Sequence, residues 1–374
     1  MLSDDEIASA VLDGFGGFLD EHHDLARRRR VRETAPGYSP ALWRRFAAEG
    51  WLGSRAGERE GGSGLSAHAA GGIAQLVGER LVPEPYLAQG LFPLITLLHA
   101  DEGASRASAM EGLLGGQSRI AVAWQERPGA VEIAGNLRTR LSKEGGRWRL
   151  DGEKTFVVGG GAAERLIVLA ADGAGTPHLL LIPSDAEGVR IADQRQIDGT
   201  TAATICFSSA PVADDMWLQT GSASALDGAL TEVRAMLAMQ LLGIARAALA
   251  ITIEHAKTRQ QFGKPIGSFQ AIQHRLVDYA MRIRLSEALC VKALKAVDGD
   301  DADRAKSLAA AAKLSAAEAA LVVTRGGIHL HGALGYTDDA DIGLYHVAAL
   351  VLAPWLGNTE ALTVHLLNLN ELAA

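Results

Sequence analysis

Residues 226–251 read LDGALTEVRAMLAMQLLGIARAALAI, and their spacing decides the architecture of the C-terminal half. Leu226, Leu230, Val233, Leu237, Leu241, Ile244, Ala248 and Ile251 recur at intervals of three and four, which lays an apolar stripe along one long helix. Downstream, Phe269, Ile272, Leu276, Tyr279, Ile283 and Cys290 repeat the pattern, and an alanine-rich stretch from Ala302 to Leu330 predicts a third helix. Long antiparallel helices with apolar seams predict a bundle, and alanine seams allow close approach between helices or subunits. Gly326 and Gly327 inside the third helix each cost about 1 kcal/mol relative to alanine, so either close packing or a bend is expected there.

Upstream of the stripe the texture changes twice. From about Ser118, short runs with alternation or β-branched content appear at Arg119–Ala123, Arg147–Leu150, Arg165–Leu169, His178–Ile182 and Thr201–Phe207. Turn clusters such as Lys143–Gly146 and Ala171–Gly173 separate them. No helical stretch interrupts these runs, which disfavours a doubly wound fold and predicts a barrel or sandwich. Before Ser118 the signals are helical again. Ser39-Pro40 predicts an N-cap and first-turn proline for a helix through Leu42, Phe46 and Trp51. After the break at Gly61–Gly64, a second helix is expected through Ile73, Val77 and Leu81, ended by Pro83 and Pro85. The predicted class is α+β, with a helical domain over residues 1–117, a β-barrel or sandwich over 118–218 and a helical bundle over 219–374.

The chain has 374 residues, 48% hydrophobic and 21% charged, with a formal net charge of −8. That balance suits a folded globular protein and sets the overall field against nucleic acid. The one basic block, Arg27–Arg30, reads as a solvated helix face. Cys206 and Cys290 lack metal spacing and read as small core residues in a reducing compartment. The N-terminus has no apolar signal region, and no uninterrupted apolar run reaches the roughly 20 residues a membrane span needs. A cytoplasmic protein without a membrane span or nucleic-acid partner is expected.

One segment carries far more specificity. Thr258–Gln273 reads TRQQFGKPIGSFQAIQ, continued by His274–Asp278. It resembles the R-x-x-F-G-x-x-I-x-x-F-Q-x-x-Q signature of the flavin-dependent acyl-CoA dehydrogenases, whose order is helical domain, β domain and four-helix bundle. The resemblance implies FAD, with the diphosphate gripped by the planar fork of Arg259 and apolar contact from Phe262, Ile266, Phe269 and Ile272. It also implies that the segment reaches a neighbouring subunit's flavin, hence an oligomer. His329–Thr337 resembles the family's Q-[IL]-x-G-G-x-G-[YF], placing His329, Gly332 and Ala333 against the same cofactor. Residues two apart on a helix face away from each other, so His329 and His331 do not read as metal ligands. Trp124-Gln125-Glu126 with Pro128-Gly129, and Gly152–Gly160, are similar to the two β-domain segments beside the isoalloxazine ring, which assigns Gln125, Phe156 and Val158 to cofactor contact. Gly50–Gly53 and Gly61–Leu65 extend the resemblance over nearly the whole chain.

The implied reaction removes an α-proton from an acyl-CoA thioester while hydride leaves the β-carbon, and it needs a base. Ungapped comparison from Gly335 puts one family base position at Leu356, beside Gly357-Asn358, with Asn358 at the cofactor. Comparison from Gly243 and Arg259 puts the alternative at Val233. Both side chains are apolar. Arg234, implied as a substrate-binding residue, is retained, whereas Glu232 and Glu360 lie off the required positions and read as solvated or capping groups. Three readings stay open: a subunit of a mixed assembly whose homologous partner brings the base, a homo-oligomeric dehydrogenase with a displaced base, or a non-catalytic binding or structural subunit. Electron-transfer flavoprotein or a similar acceptor, and fatty acid or steroid side-chain catabolism, are the implied partner and setting. Small residues such as Ala238 and Gly243 on the long helix either leave room for a bulky acyl group or pack against neighbouring elements.

Overall fold

The computed structural model describes residues 4–372 apart from Pro128 and Ala134, so Pro128 of the quoted β-domain segment lies outside the described residues. Six helices come first: α1 (Asp4–His22), α2 (Leu25–Arg32), α3 (Pro40–Ala48), α4 (Ala67–Glu79), α5 (Phe92–His99) and α6 (Ala104–Leu114). Eight strands follow: β1 (Ile120–Ala123), β2 (Arg140–Glu144), β3 (Arg147–Val158), β4 (Arg165–Ala171), β5 (Pro177–Pro183), β6 (Val189–Arg195), β7 (Thr201–Val212) and β8 (Trp217–Gln219). Helices then resume with α7 (Ser224–Thr258), α8 (Gln270–Val297), α9 (Ala302–His331), α10 (Asp341–Leu352) and α11 (Thr359–Leu372). The predicted α+β class and element order hold.

By contacts the chain forms two compact units, one of Arg30–Leu65 and Pro83–Val233, the other of Met1–Arg29, Ser66–Val82 and Arg234–Ala374. The first unit holds an eight-stranded sheet of order β6-β7-β3-β2-β4-β5-β8, with β1 parallel to β4. Leu150, Leu166, Val168, Leu180, Ile182, Ile205 and Phe207 fill its core. Strands β2 and β6 carry too many charged or polar residues for alternation to reveal them, and β8, Trp217–Gln219, is too short to show a period. Ser39 caps α3 through Leu42 N–H as expected. The helix stops at Ala48 rather than running through Trp51, because Gly50 turns the backbone to φ 80.

In the second unit α8, α10 and α11 all pack on α9. The alanine seam does what its composition predicts, with Ala309, Ala310, Ala312, Ala316 and Ala320 fully buried. A Cβ on Gly326 would meet the Tyr279 hydroxyl at 1.9 Å, and one on Gly327 would meet Ile342 at 2.6 Å, so these glycines serve close packing. The suggestion of substrate room at Gly243 is corrected: a Cβ there would strike the Gln75 carbonyl at 2.1 Å, and one on Gly78 the Gln240 carbonyl at 2.0 Å. Helices α4 and α7 therefore touch backbone to backbone. The basic block is only partly a solvated face, since Arg28 is buried and Arg29 pairs with Asp341 at 2.9 Å. Cys290 is core, but Cys206 is half-buried with its thiol 3.4 Å from Glu153. Two stretches, Ser224–Thr258 and Ala302–Tyr336, are long and apolar enough to cross a membrane by length and composition, but 67% and 56% of their apolar windows are buried within the fold.

Candidate functional site

The Arg259 segment is a two-residue hairpin. Gln260-Gln261 pairs antiparallel with Lys264-Pro265, leaving Phe262 (φ 53) and Gly263 (φ 77) as the turn. Positive φ at both positions is the type I′ turn that suits a hairpin's twist, normally written Asn-Gly. A phenylalanine there carries about 1–3 kcal/mol of backbone strain. Its ring is 92% exposed. Phe269 meets that ring edge-on at 6.1 Å, and the Lys264 ammonium sits 4.4 Å over Phe269. The Arg259 guanidinium is exposed and makes no hydrogen bond or ion pair with the described residues. A strained, exposed aromatic beside an uncommitted guanidinium fits a surface that awaits a ligand or second chain. Ile266 differs from its expected role: it is buried within its own unit, while Phe269 and Ile272 are half-buried. His329, Gly332 and Ala333 lie exposed at the end of α9, alongside exposed Leu334 and Tyr336.

In the first unit the segments around Gln125 and Phe156 are tied together by a buried ion pair. Lys154, fully buried, donates to Glu126 Oε1 at 2.8 Å, and the same carboxylate accepts from the N–H groups of Arg138 (2.7 Å) and Thr139 (2.8 Å). Burial raises the Glu126 pKa, but Lys154 and the two amides outweigh it and hold the acid down to about 2. Burial also brings Lys154 down to about 8 against the pull of Glu126. The pair pins the chain after β1, and Thr155 N–H then donates to Gln125 O at 2.8 Å. Between Lys154 and Val157 the register of β3 on β7 slips, and the bulge sets Phe156 at φ 54.

Beside that bulge are two orphaned buried atoms, Thr155 Oγ1 and Gln89 Oε1. Gln89 belongs to a wholly buried π-helical turn, Tyr86–Leu91, and its amide donates to Gly159 O at 2.7 Å. Each unsatisfied group costs roughly 1–3 kcal/mol. Unpaired polar atoms around a displaced strand backbone suit the polar edge of a flavin ring, so the residues present fit FAD. Gln125 spends its own amide on Arg127 O at 2.9 Å, and Val158 is half-buried on β3.

The turn at Leu356, where the resemblance places the first base position, is held by two buried side chains. Leu356 has φ 57, is 1% exposed, and its carbonyl accepts from Arg234 Nε at 3.1 Å. Lys313, fully buried on α9, donates to the carbonyls of Ala353 and Gly357 on either side. Burial and the neighbouring Arg234 charge push Lys313 down to about 7. Asn358 caps α11 through Ala361 N–H at 2.8 Å, and Glu360 is exposed in that first helical turn. At the second position Val233 is fully buried. Glu232 corrects its expected solvated role: it is buried and bonded to Arg55 Nε at 2.5 Å.

Sequence reasoning missed Lys313, Glu126, Lys154, Thr155 and Gln89. A detectable signal existed for Lys313, a single cation flanked by Ala309, Ala310, Ala312, Ala316 and Ala317 on a seam otherwise apolar. Among the described residues no group of three or more His, Cys, Asp or Glu is arranged for a metal.

Residues 220–367 match the family described as acyl-CoA dehydrogenase, C-terminal domain. A 3-(aryl)acrylate reductase of Clostridium sporogenes is 28% identical, over 92% of this chain and 97% of that protein. Curated relatives at 30–33% identity are matched over 54–58% of their own length. Among solved structures, a variant of the Tcur3481-Tcur3483 steroid ACAD is 27% identical with a TM-score of 0.89 over 99% of both chains. The ChsE4-ChsE5 complex from Mycobacterium tuberculosis gives 0.88 at 24% identity, over 100% of this chain and 98% of that one, a likeness of fold alone.

Proposed function

We propose that the chain is an oxidoreductase of the acyl-CoA dehydrogenase family, acting on CH–CH donors with FAD, and that it is a subunit binding an acyl-CoA thioester while a homologous partner chain brings the catalytic base. The observation that carries this reading is the Ala353–Asn358 turn. Its carbonyls are held by Arg234 and Lys313. Its side chain at 356 is a leucine that cannot accept a proton. The carboxylates adjacent in sequence to the two base positions offer no substitute, since Glu232 is paired with Arg55 and Glu360 sits exposed at a helix start.

Dehydrogenation takes a proton from the α-carbon and a hydride from the β-carbon of the thioester. FAD, when bound, accepts the hydride. Within this chain, backbone groups of the 353–358 turn keep a fixed direction because two buried cations hold them, so polarising a thioester carbonyl through a backbone N–H survives loss of the acid. Arg259 and Phe262 present a cation and an aromatic face outward, the pair of groups a neighbouring chain's dinucleotide would meet. The name of the Tcur3481-Tcur3483 steroid ACAD, 27% identical to this chain, joins two components and supports a mixed assembly, and its steroid designation supports a bulky acyl group. An electron-transfer flavoprotein or similar acceptor would take the electrons onward.

Expression alone and together with a homologous chain tests the proposal. Alone, the protein should be colourless or poorly soluble and inactive; paired, it should show flavin absorbance and oxidise acyl-CoA. A yellow, active sample of this chain alone, silenced by Glu232→Gln or Glu360→Gln, would overturn it in favour of a displaced base.

A further inference from the structure

Two imidazoles stack next to Arg259 where α7 and α9 both end. The rings of His255 and His331 lie 4.1 Å apart between centroids and 21° from parallel. His331 Nδ1 donates to Gly327 O at 2.8 Å, which leaves Nε2 as its second nitrogen. His255 stands four residues before Arg259, whose N–H donates to the His255 carbonyl at 2.8 Å as the helix closes, so ring and guanidinium leave the same face of α7. Helix C-termini favour cations, and two such ends meet here. Yet like charge works against protonation. Burial first, then His331 and Arg259, hold His255 below its ordinary value. Its flanking α7 charges, Glu254 and Lys257, pair with each other at 2.6 Å. From α9 the facing group is His331 itself, with His329 exposed nearby. The turn that follows α9, Gly332–Tyr336, adds only the exposed phenol of Tyr336.

A stacked imidazole pair beside an uncommitted guanidinium has, among the described residues, no carboxylate bonded to any of the three side chains. We propose that His255 and His331 join Arg259 in a proton-linked anion site for the diphosphate of the dinucleotide. This rests on the reading that Arg259 faces FAD. An anion arriving at Arg259 offsets the like charge and favours a proton on the imidazoles, so ligand and proton are taken up together. By linkage, affinity then rises as pH falls through the His255 range at and below about 6.5, because the free imidazole is held below its ordinary value and the anion draws it back up.

Flavin-loaded protein, purified in whichever assembly carries FAD, is diluted at pH 6.0 to 8.5 and release followed by flavin fluorescence. FAD should be held more tightly at pH 6 than at pH 8, with the affinity still rising at the acid end of the range. His255→Gln and His331→Gln should flatten that profile. His255→Tyr keeps a ring in the stack without a titrating nitrogen and should flatten it too. Arg259→Gln should weaken FAD across the whole range. A wild-type profile that is already flat, with Arg259→Gln still weakening FAD, overturns the histidine assignment alone. No effect of Arg259→Gln at any pH, or no assembly that holds FAD, overturns the underlying reading and this inference with it. Free coenzyme A, which also carries a diphosphate, is the competing ligand: if it displaces FAD from wild type with the same pH slope while His255→Gln abolishes only the coenzyme A effect, the site belongs to the thioester instead.

Discussion

Phe262→Asn should make this protein more stable and a worse flavoprotein at the same time. At φ 53 followed by Gly263 at φ 77, position 262 asks for asparagine. Removing a bulky residue from that conformation relieves about 1–3 kcal/mol. Against this stands the edge-on contact with Phe269 at 6.1 Å, worth about 0.5–1.5 kcal/mol. The ring is 92% exposed, so little other burial is forfeited. The balance is a gain of about 1 kcal/mol, or about 2 °C in Tm for a chain of this size. The ligand side moves oppositely. If a partner's dinucleotide covers the ring in the assembly, losing it removes about 1.5–3 kcal/mol of apolar burial, so FAD should dissociate at roughly ten- to hundredfold lower affinity. Thermal unfolding of the chain and flavin retention of the assembly measure the two effects. A variant that melts lower, or that retains FAD like wild type, would refute the argument that strain is held here for a ligand.

Glu126→Gln should lower stability by about 3–5 kcal/mol in urea unfolding, because it leaves Lys154 buried with no opposite charge. The wild-type pair also sets pH behaviour. Glu126 titrates below its unfolded value, so its stabilisation is present above pH 4.5 and should drain away as pH falls towards 2. Lys154 is depressed to about 8, so on its account stability should climb between pH 8 and 10.5, where the unfolded chain holds the extra proton. Urea midpoints across pH check both slopes. Lys313→Met should leave the Ala353 and Gly357 carbonyls unmet, costing about 1–3 kcal/mol, and should weaken thioester binding by the assembly in calorimetry. Leu356→Glu should install a base on a turn already shaped for it, seen as bleaching of bound flavin on adding acyl-CoA.

Much of this architecture could be read from spacing, and the site less so. The stripe from Leu226 to Ile251 and the alanine seam announced α7 and α9 because a buried helix must repeat its apolar residues every three or four positions. Strand β6, with Arg190, Asp193, Gln194 and Arg195, follows no such rule, since its polar residues face outward at the sheet edge. Arg259 and Phe262 could be singled out because a whole ordered signature carried them, and both lie exposed in the structure. Lys313 and Gln89 were not, because what gives them meaning is a pair of carbonyls and a strand distant in sequence, and composition holds no record of such meetings. Glu232 misled for the same reason: nothing near it in sequence announces Arg55.

The left-handed turn at Leu356 has a consequence for how labour divides between chains. Its path is dictated by amine and guanidinium anchors on two other helices, so the backbone there is held by side chains other than the one at its tip. If the proposed division of labour holds, a chain on this scaffold can lose its proton acceptor and keep the turn that presents a ligand's carbonyl to backbone donors, because the anchors and the acceptor are separate residues.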